Sequence, residues 1–426
     1  MNNRVPEGWK FGLFGDLAKV QNGYAFKSTE FSDTGYAAAI RMSNLKLGRV
    51  DLSDAKYVSQ ESIEGLDQFQ LASGDFLFGM SGSLDNYAWV KKTDGICYLN
   101  QRVGCLRIKP KADPLYTSYC YLSGAVKDAI VGLAAGAAQL NISGNQLQEI
   151  SILIPPLPEQ QKIATILSSV DDVIEKTRAQ IDKLKDLKTG MMQELLTKGI
   201  GHTEFKDSPM GRIPVSWSIV PIAEHVLEHR SGASLKPTDF SEEGFNVIPK
   251  KAIQFGGKLV RGEKTYCKKD YALSVKRSWV NKDFLVTVLR DLVPTGPSIG
   301  LIVEVEEEGD FLIAQGVYGF RLDGGLHHGY LAQLSNSDWF RKEMRTILVG
   351  STQVHIRTGE FFDVLIARPP FAEQVEITNA LLAIDKKIKL LNKKMSIFQS
   401  TKKALMQDLL TGKVRVNLTD KESAVV

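Results

Sequence analysis

The 426-residue sequence predicts an α+β protein, in which two similar globular domains are joined by two long helices packed as an antiparallel coiled coil with pseudo-two-fold symmetry. Two observations predict it: the chain contains one unit twice, and each copy ends in a long heptad-patterned segment. Ile154-Pro155-Pro156-Leu157-Pro158-Glu159-Gln160 recurs 214 residues later as Arg368-Pro369-Pro370-Phe371-Ala372-Glu373-Gln374. The same offset carries Asn100-Gln101-Arg102-Val103 onto Ala314-Gln315-Gly316-Val317 and Tyr116 onto Tyr330. It also carries Gly136-Ala137-Ala138-Gln139 onto Gly350-Ser351-Thr352-Gln353, and Leu195-Leu196-Thr197 onto Leu409-Leu410-Thr411. Nearer the start the offset is 208, pairing Pro6 and Trp9 with Pro214 and Trp217, and Gly74-Asp75-Phe76-Leu77 with Lys282-Asp283-Phe284-Leu285. A repeat this long is a duplicated domain, since solenoid repeats run only about 20 to 50 residues.

The first globular domain is placed at residues 1–154, with β-like runs at 74–80 and 103–108. A central long helix follows over 155–199, because a proline pair suits a helix start and pushes the residue before it out of the helical region. The second globular domain covers 200–368, with β-like runs at 285–289 and 301–305; a second long helix covers 369–413 and a tail 414–426. Along the first helix Ile163, Val170, Thr177, Leu184 and Met191 recur every seven residues, with Ile166/Leu167, Val173/Ile174, Ile181, Leu187 and Leu195 between them. The second repeats this with Ile377, Ile384, Leu391, Phe398 and Leu405, and Leu381, Ile388, Met395 and Leu409 between. One apolar stripe per helix must be covered, and the other copy's stripe is the natural partner. Gly199 and Gly412 are the expected helix stops.

Composition narrows the function classes. A hydrophobic share of 43% with 24% charged residues is that of a globular chain and excludes wholesale disorder. No apolar run approaches the length of a membrane span and the start lacks the apolar core of a signal peptide, so the cytoplasm is the expected compartment and no membrane is a partner. Cys97, Cys105, Cys120 and Cys267 form no CxxC pair and read as reduced, structural thiols. Net charge is only +4, and acidic and basic residues cancel within each globular domain, so any phosphate-binding surface must come from local clustering.

Motifs for catalysis are missing. There is no phosphate loop of the GxxxxGK[ST] form and no Gly-rich cofactor turn. Arg368-Pro369-Pro370-Phe371 is one residue from the tetrapeptide of DNA amino-methyltransferases, but arginine has donors only and cannot accept from a target amino group. His225 and His229, at i, i+4, could share a helix face, where a solvated or capping role outweighs zinc; His327-His328 reads as surface, and the acidic run 304–310 as a solvated hairpin. Polar residues grouped at the ends of apolar runs offer more. In the first copy these are Arg41, Ser43, Asn44, Ser81, Asn100, Gln101, Arg102, Gln139 and Asn141; in the second, Lys250, Lys251, Arg290, Gln315, Gln353, His355 and Arg357. Arginine pairs with guanine and Asn or Gln with adenine in bidentate fashion, while Ser suits phosphate; ordinary loop and capping roles are the competing reading.

The ordered, duplicated set of Pro-x-x-Trp openings, Gly74-Asp75-Phe76-Leu77 with Ser81-Gly82, Asn100-Gln101, the glycine turns before Gln139 and Gln353, and the two Pro-Pro-x-x-Glu-Gln openings with heptads ending in Leu-Leu-Thr resembles the specificity subunits of type I restriction-modification systems over nearly the whole chain. The resemblance implies a non-catalytic DNA-binding subunit whose globular parts are target recognition domains. Each would read one half of a split site in double-stranded DNA, with the helices setting the spacer. It further implies docking of two modification subunits that carry S-adenosylmethionine and methylate adenine, and of restriction subunits that use ATP and Mg, with no cofactor in this chain. Because the copies diverge in their polar loops, the expected site is asymmetric and bipartite. The competing class is a coiled-coil adaptor whose globular ends bind proteins.

Overall fold

The computed structural model describes residues 5–83, 85–133, 141–260, 265–293 and 295–418. Contacts divide it into two compact units: Met1–Thr177 with Lys394–Val426, and Arg178–Lys393. Each unit thus holds one globular part with one half of each long helix, Leu157–Lys198 and Phe371–Leu410.

In the first unit a six-stranded sheet has the spatial order Ala18–Asn22, Val103–Ile108, Phe76–Gly79, Tyr87–Trp89, Gly48–Val50, Leu45–Lys46. Its central strand is covered on both faces. Phe76 and Phe78 pack toward the helical side with Tyr121 and Leu106, while Leu77 packs with Ile40, Leu99 and Cys105 on the other. Double coverage explains why 76–79 reads as an unbroken apolar run with no alternation. Gly104 sits flat against Phe78, where a Cβ would lie 2.5 Å from the ring, so no larger residue fits. A second sheet places Ala37–Ile40 between Lys56–Val58 and Cys97–Leu99, its pairing with the latter being parallel.

The second unit is built on the same plan. Val226–Ser231, Val317–Leu322, Leu285–Val288 and Ile302–Glu304 form one sheet, and Phe245–Ile248 lies parallel to Phe311–Ile313 in another. In each unit a two-stranded ribbon closes the globular part next to its helix start: Lys10–Leu13 with Ser151–Ile154, and Ser218–Pro221 with Leu365–Arg368.

The Glu-Gln pair that opens each long helix clamps the globular part to it. Trp9 Nε1 donates to Glu159 Oε2 and Trp217 Nε1 to Glu373 Oε2, both at 3.0 Å. Gln160 accepts from Asp113 N at 2.9 Å and donates to Pro155 O at 3.0 Å; Gln374 accepts from His327 N at 2.7 Å and donates to Pro369 O at 2.9 Å. Glu159, Gln160 and Gln374 are buried and Glu373 is partly buried, so these polar groups need their partners. Arg415, in the segment expected as a tail, completes the first clamp by donating to both Glu159 oxygens; His202 lies 2.8 Å from Glu373 in the second. Gly199 and Gly412 end the helices in the left-handed conformation, at φ 66° and 69°.

Within each unit the two helix segments pack antiparallel. Glu159 meets Arg415 and Asp171 meets Lys402 at 2.7 Å in one; Lys188 meets Asp385 at 2.8 Å in the other. The apolar seam joins Ile163 and Leu167 to Leu405 and Leu409 in the first unit, and Leu196 to Ile377 and Leu381 in the second. Ile163, Ile377 and Ile384 are buried, and Val170, Leu184, Met191, Leu391 and Phe398 are partly buried. The expected stripe needs correction at two places: Leu187 is 51% exposed and Val173 faces outward too, and the 3-4 spacing of the seam runs through Lys188 instead.

Candidate nucleic-acid interface

Four loops of the first globular part meet at one rim. Met80 N donates to Arg102 O at 2.9 Å, Ile142 N to Met80 O at 3.0 Å, Ser81 pairs with Asn141 across a bridge, and Ser81 Oγ lies 3.3 Å from Met42 Sδ. These bonds bring Ser43, Ser81, Gln101, Arg102 and Asn141 together, and all but the partly buried Ser81 are exposed. Arg102 stands in the left-handed region at φ 66°, a conformation costing an L-residue about 1–2 kcal/mol. Its carbonyl is fixed by Met80 N, which holds the turn in place.

Other expected contact residues are committed to the fold. Asn44 is fully buried, accepting from Arg41 N at 3.0 Å and donating to Asp51 O and Asp54 Oδ1. Arg41 Nη2 donates to Asp54 O at 2.6 Å, and Asn100, 5% exposed, caps Gln101 N at 2.8 Å. Asn and Ser in such loops often satisfy local backbone in this way, which spacing alone does not reveal. Gln139, with the Gly136–Gln139 turn, lies outside the described residues.

The second globular part repeats the construction with different side chains. Leu289 N donates to Gly316 O at 3.1 Å and Ile356 N to Leu289 O at 2.9 Å, and Arg290 is paired with His355. Met80, Ser81, Arg102 and Asn141 therefore correspond to Leu289, Arg290, Gly316 and His355. Lys251, Arg290, Gln315, Gln353 and Arg357 are exposed and His355 is partly so, Arg357 reaching Glu360 at 3.2 Å. Lys250 is committed: its Nζ donates to Asp291 Oδ1 at 2.8 Å. Burial alone would push the Asp291 carboxyl up, but bonds from Lys250, Ser298 Oγ and Val293 N outweigh it and hold it below the usual carboxylate range.

The histidines differ from their sequence reading. His225 is buried in a short 3-10 turn and His229 is exposed in the strand Val226–Ser231, so the pair shares no helix face. Arg368 Nη1, a donor only, lies 2.7 Å from His225 Nε2, which fixes Nδ1 as the protonated nitrogen facing Asp323 at 3.0 Å. His327 and His328 are partly buried; His327 caps the helix His328–Leu334, and burial lowers the affinity of both for a proton. The run 304–310 is not the expected hairpin: its flanking strands, Ile302–Glu304 and Phe311–Ile313, belong to two different sheets, and the run links one sheet to the other. Among the described residues no group of three His, Cys, Asp or Glu is placed to hold a metal ion, and no helix is long and apolar enough to cross a membrane.

Comparison with known proteins adds an independent line. The family described as "Type I restriction modification DNA specificity domain" matches residues 6–186. The MjaVIII specificity subunit of Methanocaldococcus jannaschii is 26% identical over 430 residues, an alignment covering 97% of this chain and 94% of the relative. The solved type I S subunit from M. genitalium superposes with a TM-score of 0.58 at 14% identity over 98% of both chains. A chain solved in work on complex assembly of the type I R-M system gives 0.56 at 16% identity, covering 96% of this chain and all of that one.

Proposed function

We infer that this chain is a type I restriction-modification specificity subunit, a DNA-binding protein with two DNA-recognition domains. The observation that carries the reading is the pair of identically constructed rims, one per unit, in a chain that aligns with specificity subunits along nearly its whole length. Two readers of one design with different side chains suit a bipartite target whose halves differ.

The finer assignments follow from that reading. Ser43, Ser81, Gln101, Arg102, Asn141 and Gln139 contact one half-site; Lys251, Arg290, Gln315, Gln353, His355 and Arg357 contact the other. Arg41, Asn44, Asn100 and Lys250 brace the loops from within. Residues 1–154 and 200–368 are the recognition domains and the helices over 155–199 and 369–413 set the spacer. Two modification subunits dock on the helices and supply S-adenosylmethionine and adenine methylation, restriction subunits supply ATP-dependent cleavage with Mg, and the complex works in the cytoplasm. This chain contributes recognition and no catalysis.

The test is to express the chain with its modification subunits and map methylated adenines in the host DNA. The expected result is a split asymmetric motif that disappears when this chain is deleted. Methylation unchanged by the deletion, or a palindromic motif, overturns the reading or its asymmetric form respectively.

A further inference from the structure

We propose that Arg102 and Arg290 are the guanine-reading residues of the two recognition domains, placing one guanidinium at corresponding points of the two rims from different backbone positions. The proposal rests on the DNA-recognition reading above and deepens it by naming a base.

The rims are superposable in their bonding but not in where the arginine arises. In the first, the turn position next to the Met80 amide is Arg102 and the neighbouring strand position is Ser81. In the second, the turn position is Gly316, at φ 87°, and the strand position is Arg290. A Cβ built on Gly316 would lie 3.5 Å from Arg290 Cβ and 3.4 Å from Arg290 O, ordinary contact distance. A side chain at the turn and one at the strand position therefore start from the same spot, and each unit fills that spot with one arginine.

Two features separate both arginines from structural ones, and a third marks Arg102. Both are exposed, and neither guanidinium has a hydrogen bond or ion pair among the described residues. By contrast Arg107 binds Asp75 and Gln21, Arg341 two backbone carbonyls, and Arg368 Glu224 and His225. Arg102 also keeps a left-handed backbone for which glycine is the ordinary choice, and glycine is what the other copy has there. An unpaired arginine retained at a strained turn, and recovered at the adjoining position when the turn relaxes to glycine, points to a ligand for the guanidinium. Its planar fork matches O6 and N7 of guanine in the major groove.

The experiment maps methylation motifs in cells expressing the complex with wild-type chain, Arg102→Gly, Arg102→Lys or Arg290→Ser. Gly and Ser are the residues the opposite copy uses at the matching positions, so the rims accommodate them. The expected result is a wild-type motif with a G·C pair in each half. Arg102→Gly and Arg102→Lys each relax that pair in one half only, and Arg290→Ser relaxes it in the other, discrimination falling about tenfold or more. A wild-type half-site lacking a G·C pair overturns the proposal. So does methylation that falls evenly at all sites with the motif unchanged, which assigns the arginine to phosphate. If no motif depends on the chain, the specificity-subunit reading itself fails, which the wild-type arm alone reports.

Discussion

Lys188 Nζ lies 2.8 Å from both carboxylate oxygens of Asp385, in a seam position where the heptad calls for an apolar residue. Its counterpart 214 residues on, Lys402, makes the same contact with Asp171 at 2.7 Å and lies 5.0 Å from the Tyr119 ring centroid. A lone charged residue in an apolar seam costs stability unless paired, and it penalises every register in which the pair is lost. Lys188→Ala is therefore expected to destabilise the second unit by about 1–3 kcal/mol, leaving Asp385, among the described residues, with its weak contact to Gln333. Lys188→Met combined with Asp385→Leu is expected to recover most of that loss. Denaturant unfolding of the two variants and of each single change, treated as a double-mutant cycle, checks this.

The clamp gives a second prediction. Glu159 is buried and accepts from Trp9 and Arg415, so Glu159→Leu leaves the Trp9 indole N–H without a partner. Loss of about 2–4 kcal/mol in the first unit is expected, with Trp9 fluorescence reporting the release, while Glu159→Gln, which keeps an acceptor, costs less. Equal effects of the two substitutions would show that packing alone seats the helix.

Much of this architecture was legible before any coordinates. Duplication, the positions of both long helices, their glycine stops and the antiparallel preference follow from the repeat and the heptads, because these features have a fixed period. The seam at Lys188 was not legible: Leu187 is more apolar, and only the partner's Asp385 makes the lysine position the buried one. The same holds in the rims. Arg102 and Asn44 are equally polar in sequence, yet one is exposed and the other fully buried, since an Asx side chain that caps a turn is distinguished from a free one only by where the backbone goes. The Glu-Gln pair was visible as a repeat, but its bonds to Trp9 and Asp113 span distances no local pattern encodes.

Burial pushes the thiols of Cys97, Cys105 and Cys120 up to about 12, and that of Cys267 upward as well. All four are buried, so a thiol reagent at pH 8 is expected to modify none within the time of a native assay and all four after denaturation. Mass spectrometry of the alkylated chain reads the count, and rapid native labelling would show that a core opens.

Asp291 carries a pH dependence. Its carboxyl is held below the ordinary value in the fold and returns to about 3.9 on unfolding. The folded state thus gains stability from it above about pH 4, and that gain disappears as pH falls through the lower, folded value. Asp291→Asn is expected to cost about 1–3 kcal/mol at pH 7 and to flatten the acid limb of the stability profile. An unchanged acid limb would assign the bracing of this rim to Ser298 and the backbone.

The turn at Arg102 sets function against stability. Glycine occupies φ 66° without steric cost but loses more backbone entropy on folding than arginine, so the two effects partly cancel. Arg102→Gly is expected to leave stability unchanged or raise it by up to ~1 kcal/mol, whereas Arg102→Val, β-branched and excluded from the left-handed region, should lower it by ~1–2 kcal/mol. Thermal unfolding of the free chain orders the three as Gly, Arg, Val. If the glycine variant folds at least as well as the parent, any recognition it loses belongs to the guanidinium, while a glycine variant less stable than the parent would mean that the arginine side chain packs in the fold and would remove the case for a ligand at this turn.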